Sequence, residues 1–291
     1  MYDLVLVPVD GSDAATAALE HALEIATDHG ATIHLLYVAD TNRPSLTRQG
    51  QSVVDALERE GEEVIADARE VADKYDVAVV DDVVQGDPRS VILEFADSEP
   101  ADLVVMGTHG HRPGKYVLGS VTEGVVHETE TPVLAVRADD DVPGAYPYDG
   151  VLVPTDGSDL ALAAVRRGSE LAARHDASVT LLSVVDEPAL GIASGVDSIA
   201  DRLADDARDH LAEAATVASD AGADEVATEV EFGSPPREIR SRAAEPDVDL
   251  VVMGTHGRTG LEQRLLGSVT ERVLRTAPVP VLVAKPKIPE E

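Results

Sequence analysis

The chain contains no cysteine among its 291 residues. That excludes a disulfide framework, a thiolate zinc site and a cysteine nucleophile. Tryptophan is absent too, and there are only two phenylalanines and six tyrosines. Lysine is nearly missing: Lys74, Lys115, Lys285 and Lys287 are the full set, and arginine supplies the rest of the 23 cations. Against 55 acidic residues this leaves a net charge of −32. No basic stripe exists to neutralise phosphates, so a nucleic-acid partner is not expected. The longest apolar runs are strand-sized, such as residues 103–106. None approaches the ~18 residues of a membrane span, so no membrane partner is expected. The chain opens on a strand-like run, residues 2–9, with no basic leader or apolar signal core. A cytoplasmic location is therefore expected.

What is present is enough for packed cores. The hydrophobic fraction is 44%, drawn from Ala, Val and Leu, so the charge does not make this a disordered chain. An acidic surface with little lysine and few large aromatics is similar to that of proteins from salt-in halophiles. There, concentrated salt screens the self-repulsion that otherwise weakens the fold. A halophilic chain of this kind is expected to lose structure when salt is withdrawn, read as a loss of circular dichroism.

The main organisational fact is an internal repeat. Pro8-Val9-Asp10-Gly11-Ser12-Asp13 matches Pro154-Thr155-Asp156-Gly157-Ser158-Asp159 at an offset of 146. The string Asp-Leu-Val-Val-Met-Gly-Thr-His-Gly occurs at residues 102–110 and again at 249–257, an offset of 147. Leu-Gly-Ser-Val-Thr-Glu occurs at 118–123 and at 266–271, an offset of 148. A period this long is a domain duplication rather than a solenoid. The expected division is a domain at 1–138, a linker rich in Asp, Pro and Gly at 139–149, and a second domain at 150–288.

Within each copy, strand and helix alternate. Residues 4–9 form a continuous apolar run, as in a strand buried on both faces of a parallel sheet. Ser12 and Ser158 are placed to cap the following helices, and Gly30 to end the first. Strands are expected at 32–38, 77–84, 103–106 and 132–136, the second of these interrupted by Asp81 and Asp82 as in an edge strand. A polar loop covers 40–50, and Leu57 through Tyr75 mark a long amphipathic helix. The second copy repeats this order. The fold class is α/β: two tandem doubly wound domains, each a five-stranded parallel sheet with helices on both faces. Ligands of such sheets bind beyond the carboxyl ends of the strands at the switch point, where the first and fourth strands would end together.

The chemistry-bearing motif is Gly254-x-x-Gly257, nine residues, then Gly267-Ser268. Glycine lets backbone approach a ligand closely, and the amides that open a helix are free donors at its positive end. A strand that feeds glycines into a helix N-terminus is a phosphate-binding arrangement. Asp10 and Asp156, at the ends of the first strands, can accept from a ribose hydroxyl or an adenine amino group, or can order their own turns. His109 and His256 read best as loop-ordering residues, with proton transfer as the alternative. No Gly-x-x-x-x-Gly-Lys-Ser/Thr occurs, so this is not a P-loop NTPase. No Gly-x-Gly-x-x-Gly follows the first strand, which disfavours NAD. No paired catalytic acid and base and no nucleophile elbow are evident, and no metal-binding set is assigned.

These motifs resemble the universal stress protein family, in its nucleotide-binding branch and tandem two-domain form. The resemblance rests on the Pro-x-Asp-Gly-Ser of the first strand, the Met-Gly-x-x-Gly after the fourth and the Gly-Ser-Val that opens the last helix. It implies an adenine-nucleotide α-hydrolase-like fold and an ATP-binding stress-response protein, a nucleotide-dependent sensor or switch. Catalysis would be absent or limited to slow ATP hydrolysis. By resemblance, Thr155 and Asp156 would meet the adenosine end and Val184 would pack on adenine. Met253, Gly254, Gly257, Gly267, Ser268 and Val269 would surround ribose and phosphates. The counterparts in the first half are Val9, Asp10, Val38, Met106, Gly107, Gly110, Gly119, Ser120 and Val121.

The first half departs from the family's spacing. Eight residues, not nine, separate Gly110 from Gly119, and Pro113 removes an amide donor within them. ATP is therefore expected to favour the second half, accompanied by Mg²⁺ on this acidic background. Arg258 and Arg264, or Arg112 and Lys115, are the cations near enough in sequence to meet a triphosphate. The resemblance also implies an intrachain pseudo-dimer through the edges at 133–136 and 281–284, with a further homo-oligomer open. The alternative function is a nucleotide-independent interaction module on the same fold.

Overall fold

The computed structural model describes residues 2–41, 52–98, 101–111, 117–138, 146–186, 196–255 and 266–285. The chain divides into two compact units, residues 1–140 and 141–291. The first runs β1 (Leu4–Pro8), α1 (Asp13–His29), β2 (Thr32–Asp40), α2 (Ser52–Ala72), β3 (Val79–Gly86), α3 (Pro88–Ser98), β4 (Leu103–Gly107), α4 (Ser120–Glu128), β5 (Val133–Val136). The second runs β6 (Gly150–Pro154), α5 (Asp159–His175), β7 (Ser178–Asp186), α6 (Val196–Asp220), β8 (Val226–Gly233), α7 (Pro235–Arg242), β9 (Leu250–Gly254), α8 (Ser268–Thr276), β10 (Val281–Ala284).

All pairings within a unit are parallel, in the order β3-β2-β1-β4-β5 in the first and β8-β7-β6-β9-β10 in the second. Helices α1 and α2 pack together on one face of the first sheet, and α3 and α4 on the other; α5 with α6 and α7 with α8 repeat this. A strand covered on both faces has no polar side to present, which is why Val5, Leu6 and Val7 of β1 are all buried. The buried residues of α1 include Ala15, Ala18, Leu19, Ala22 and Ala26, one stripe at helical spacing.

The local signals act as expected. Ser12 Oγ accepts from Ala15 N and Ser158 Oγ from Ala161 N, each at 3.3 Å, capping α1 and α5. Gly30 ends α1 in the left-handed region; in α5 Asp176 takes that conformation at φ 55°. The strand broken by Asp81 and Asp82 does lie at the sheet edge. Its carboxylates are paired, Asp82 with His34 Nε2 at 2.8 Å and Asp81 with Arg69. Strands β2 and β7 run two residues beyond the expected ends, because Asp40 and Asp186 still pair with Gly86 and Gly233. Helix α2 stops at Ala72, so Tyr75 falls past it, its amide donating to Ala72 O at 2.9 Å. Of the loop at 40–50, residues 42–50 lie outside the described residues, as does 139–145 of the linker.

The topology creates the crevice. Strand β1 is flanked by β2 on one side and β4 on the other, with Val5 opposite Leu103 and Leu6 opposite Val104. From β1 the chain leaves to α1 on one face; from β4 it leaves to α4 on the opposite face. The two connections part where the strands end, which is the switch point expected from the sequence. At the other end of the strands, Asp102 Oδ2 accepts from the amides of Asp3 at 2.7 Å and Leu4 at 3.1 Å. Asp249 Oδ2 does the same for Asp149 at 2.8 Å and Gly150 at 3.0 Å. Among the described residues no helix is long and apolar enough to cross a membrane.

Candidate functional site

One wall of each crevice is the turn after the first strand. The strand pairing continues one residue past its end: Val9 N donates to Leu36 O at 2.9 Å, and Thr155 N to Leu182 O at 2.8 Å. The chain then turns through Gly11 at φ 78° and Gly157 at φ 76°, a backbone that side chains resist. Asp10 Oδ1 accepts from Ser12 N at 3.0 Å. Asp156 Oδ1 accepts from Ser158 N at 3.1 Å and from Ser158 Oγ at 2.6 Å. Both aspartates therefore order their own turns. In the second unit Thr155 Oγ1 adds a bond from Gly157 N at 3.2 Å, which Val9 cannot supply.

The opposite wall joins the fourth strand to the last helix. Gly119 N donates to Thr108 O at 2.8 Å, and Thr122 Oγ1 to Gly107 O at 2.8 Å. In the second unit Gly267 N donates to Thr255 O at 2.8 Å, and Thr270 Oγ1 to Gly254 O at 3.0 Å. These buried threonines bolt the start of α4 to the end of β4, and the start of α8 to the end of β9. Gly107 and Gly254 are held close: a Cβ there would lie 2.8 Å from Ala14 C and from Leu160 O respectively. The crevice floor thus packs directly on the first turns of α1 and α5.

The N-caps of α4 and α8 are Gly119 and Gly267, with extended backbone and no side-chain cap bond. Ser120 and Ser268 are the first helical residues rather than the caps. A glycine cap has no side-chain oxygen to offer the first-turn amides, which are left to solvent or to an anion. The dipole of each helix adds to their pull on negative charge.

In the first unit, Val9 and Met106 are buried; Asp10, Val38, Gly107, Gly110, Gly119 and Val121 are half-buried; Ser120 is exposed. In the second, Thr155, Met253 and Gly254 are buried, Asp156, Val184, Gly267 and Val269 half-buried, and Ser268 exposed. Val38 and Val184 occupy matching places two residues before the ends of β2 and β7. Gly257, His256, Arg258 and Arg264 lie outside the described residues, as do Arg112, Pro113 and Lys115. His109 Nδ1 meets Thr108 Oγ1 at 3.0 Å, a contact that orders the loop. Among the described residues, no group of three or more His, Asp or Glu is placed to hold a metal ion.

Four contacts were not legible in the motifs. His111 Nδ1 stands 3.7 Å from Asp10 Oδ2, and a Cβ on Gly110 would collide with that same oxygen. Val64 of α2 packs on Gly11, whereas His210 of α6 packs on Gly157, its ring 2.5 Å from where a Cβ would sit. The sequence signal for the last pair was available, since Val64 and His210 are separated by the repeat's own offset of 146.

Comparison with known proteins agrees with this construction. The family model described as the universal stress protein family matches residues 1–137 and again 147–285. A universal stress protein of Methanocaldococcus jannaschii is 40% identical over 142 residues, covering 47% of this chain and 83% of that protein. One from Mycobacterium tuberculosis is 33% identical over 248 residues, 78% of each chain. The crystal structure of a universal stress protein from Archaeoglobus fulgidus covers 97% of this chain and 96% of its own, with a TM-score of 0.73. At 24% identity, that likeness speaks for the fold. With the family model matched twice in tandem, and a relative aligned across both copies, the chain belongs to the universal stress protein family.

Proposed function

We propose that this chain is a nucleotide-dependent sensor or switch that binds an adenine nucleotide in the crevice between the first and fourth strands, with little or no catalysis. ATP is the expected ligand, bound better by the second unit than by the first. The observation that carries this reading is the glycine-capped helix start of α8, bolted to the end of β9 by the Gly267 and Thr270 bonds. It offers free amides and a helix dipole to phosphate, and its glycines leave room for close approach. Asp156 on the opposite wall keeps acceptor capacity for the nucleoside end. Mg²⁺ would arrive with the triphosphate and offset its charge beside an acidic surface.

The test is isothermal titration of ATP and of AMP in molar KCl, on the native chain and on Gly267→Val. The valine side chain intrudes on the phosphate approach, so affinity should fall at least about tenfold, the worth of one charge-assisted bond. Unaltered binding would refute the phosphate cradle. Native protein should show one site or two unequal ones; two equal, independent sites would refute the ranking of the units. Phosphate release should stay at the spontaneous background. Protein that binds no nucleotide in any titration is an interaction module on this fold.

A further inference from the structure

In the first crevice the Asp10 carboxylate lies on the wall opposite the glycine-capped helix start. Asp156 receives two hydrogen bonds from Ser158, through N and Oγ. Asp10 receives one from Ser12 N, on Oδ1. Its Oδ2 instead faces the loop after β4. There Gly110, lacking a Cβ, lies against it, and His111 Nδ1 stands 3.7 Å away. At 42% side-chain exposure for Asp10 and 60% for His111, the pair is open to solvent and to a ligand. The two nitrogens of an imidazole lie on opposite sides of a rigid ring. With Nδ1 directed at Asp10, Nε2 faces elsewhere and carries a hydrogen to donate once the ring is protonated. At the corresponding place the second copy has Arg258, whose charge is permanent.

We propose that His111, seated on the Asp10 carboxylate, is the phosphate contact of the first unit and makes that unit's nucleotide affinity rise as pH falls. Protonated, the imidazole cancels the Asp10 charge and donates an N–H toward the phosphates. Neutral, it leaves the carboxylate to repel them. Among the described residues the pair has few other charged or titratable neighbours; Arg112 and Lys115 of the same loop lie outside the described residues. His109 on the same loop is bonded through Nδ1 to Thr108 Oγ1, Asp13 is exposed in the first turn of α1, and α2 contributes the apolar Val64 to the same turn. The inference rests on the nucleotide reading above and deepens it: the first unit would respond to proton concentration through a residue the second unit lacks.

The experiment titrates ATP into the full chain in molar KCl at about pH 6 and about pH 8. Native protein is compared with His111→Gln and His111→Arg. His111 is exposed, and circular dichroism checks that each variant is folded. The glutamine variant experiences the same protonation of ATP itself, and the same His210, so the difference isolates His111. The ratio of affinities at low and high pH should be about three- to fivefold larger in native protein than in His111→Gln, as for a solvent-exposed ion contact. His111→Arg should bind well at both pH values. A ratio that is the same in native and glutamine proteins overturns the inference and leaves the nucleotide reading standing. So does a single site indifferent to both substitutions. No ATP binding at either pH overturns both.

Discussion

Each unit builds the same kind of crevice, with its own set of side chains. Around the Asp-Gly-Ser turn, the second unit adds local bonds: Thr155 Oγ1 accepts from Gly157 N, and Asp156 accepts from Ser158 N and Oγ. The first unit has Val9 in place of the threonine and completes its aspartate from a distant loop, through His111. At the outer edge of each sheet the same exchange occurs. In the first unit His34 on β2 pairs with Asp82 on β3, and Phe95 of α3 lies edge-on to the imidazole at 5.5 Å. In the second, Thr180 replaces the histidine, and Arg242 of α7 replaces the phenylalanine. Arg242 reaches Glu229 at 3.0 Å and Asp247 at 2.8 Å. The carboxylate's partner has moved from strand to helix while the edge carboxylate stays paired. The duplicated fold thus keeps the pairing of a place rather than the residue that supplies it.

The sharpest way to break this comparison is to exchange Gly150 for leucine, the residue at the equivalent Leu4. A Cβ at Gly150 would fall on the backbone carbonyl of Asp247, which has no flexible atom to yield. Gly150→Leu should cost about 3 kcal/mol or more, by overpacking against backbone. Urea unfolding in molar KCl measures it; an unmoved midpoint would show that the loop before β9 gives way freely.

Next is the paired glycine turn. Gly11→Ala and Gly157→Ala each force a side chain into the left-handed region, at about 1–2 kcal/mol. Gly157→Ala should lose about 1 kcal/mol more, because its methyl meets the His210 ring, whereas Val64 at Gly11 stands 3.1 Å off. Thermal unfolding of both, with Gly157→Ala repeated in a His210→Ala background, resolves the excess. If the excess survives removal of the imidazole, the explanation by contact is wrong.

The smallest effect is at the edge. Arg242→Met should destabilise by about 1 kcal/mol, since its partners are partly exposed. Its pH dependence carries a sign. The Arg242 guanidinium holds the Asp247 carboxyl below its ordinary value, chiefly through their hydrogen bond. A carboxyl depressed in the folded state stabilises above its unfolded pKa, about 3.9, and loses that contribution as pH falls through the depressed value. The stability gap between native protein and Asp247→Asn should be present at neutral pH and vanish in strong acid. A gap that persists in acid would mean that the asparagine disturbs packing rather than charge.

Much of the fold was legible because its signals are local. Continuous apolar strands, Ser caps at 12 and 158 and Gly30 at a helix end each act within a few residues. The edge position of β3 followed from Asp81 and Asp82, which a strand buried on both faces would not tolerate. The site was legible only in outline. The nine-letter string reads as a buried strand and a glycine turn, and its polar letters tie neighbouring segments together. Asp102 and Asp249 fasten the amino ends of β1 and β6, and Thr108 and Thr255 hold the following glycine caps. Those roles depend on which strand lies alongside, which the string itself does not state.

The sequence by itself determined the duplicated α/β class, the order of elements and the place of the crevice. Periodicity, caps and glycine spacing act along the chain and can be read along it. Only the tertiary structure decided what furnishes each crevice: that His111 meets Asp10, that His210 rather than valine closes over Gly157, and that Asp247 forbids a side chain at residue 150. Each is a contact between residues far apart in the chain, brought together by packing, and small differences in side-chain length there separate one copy from the other.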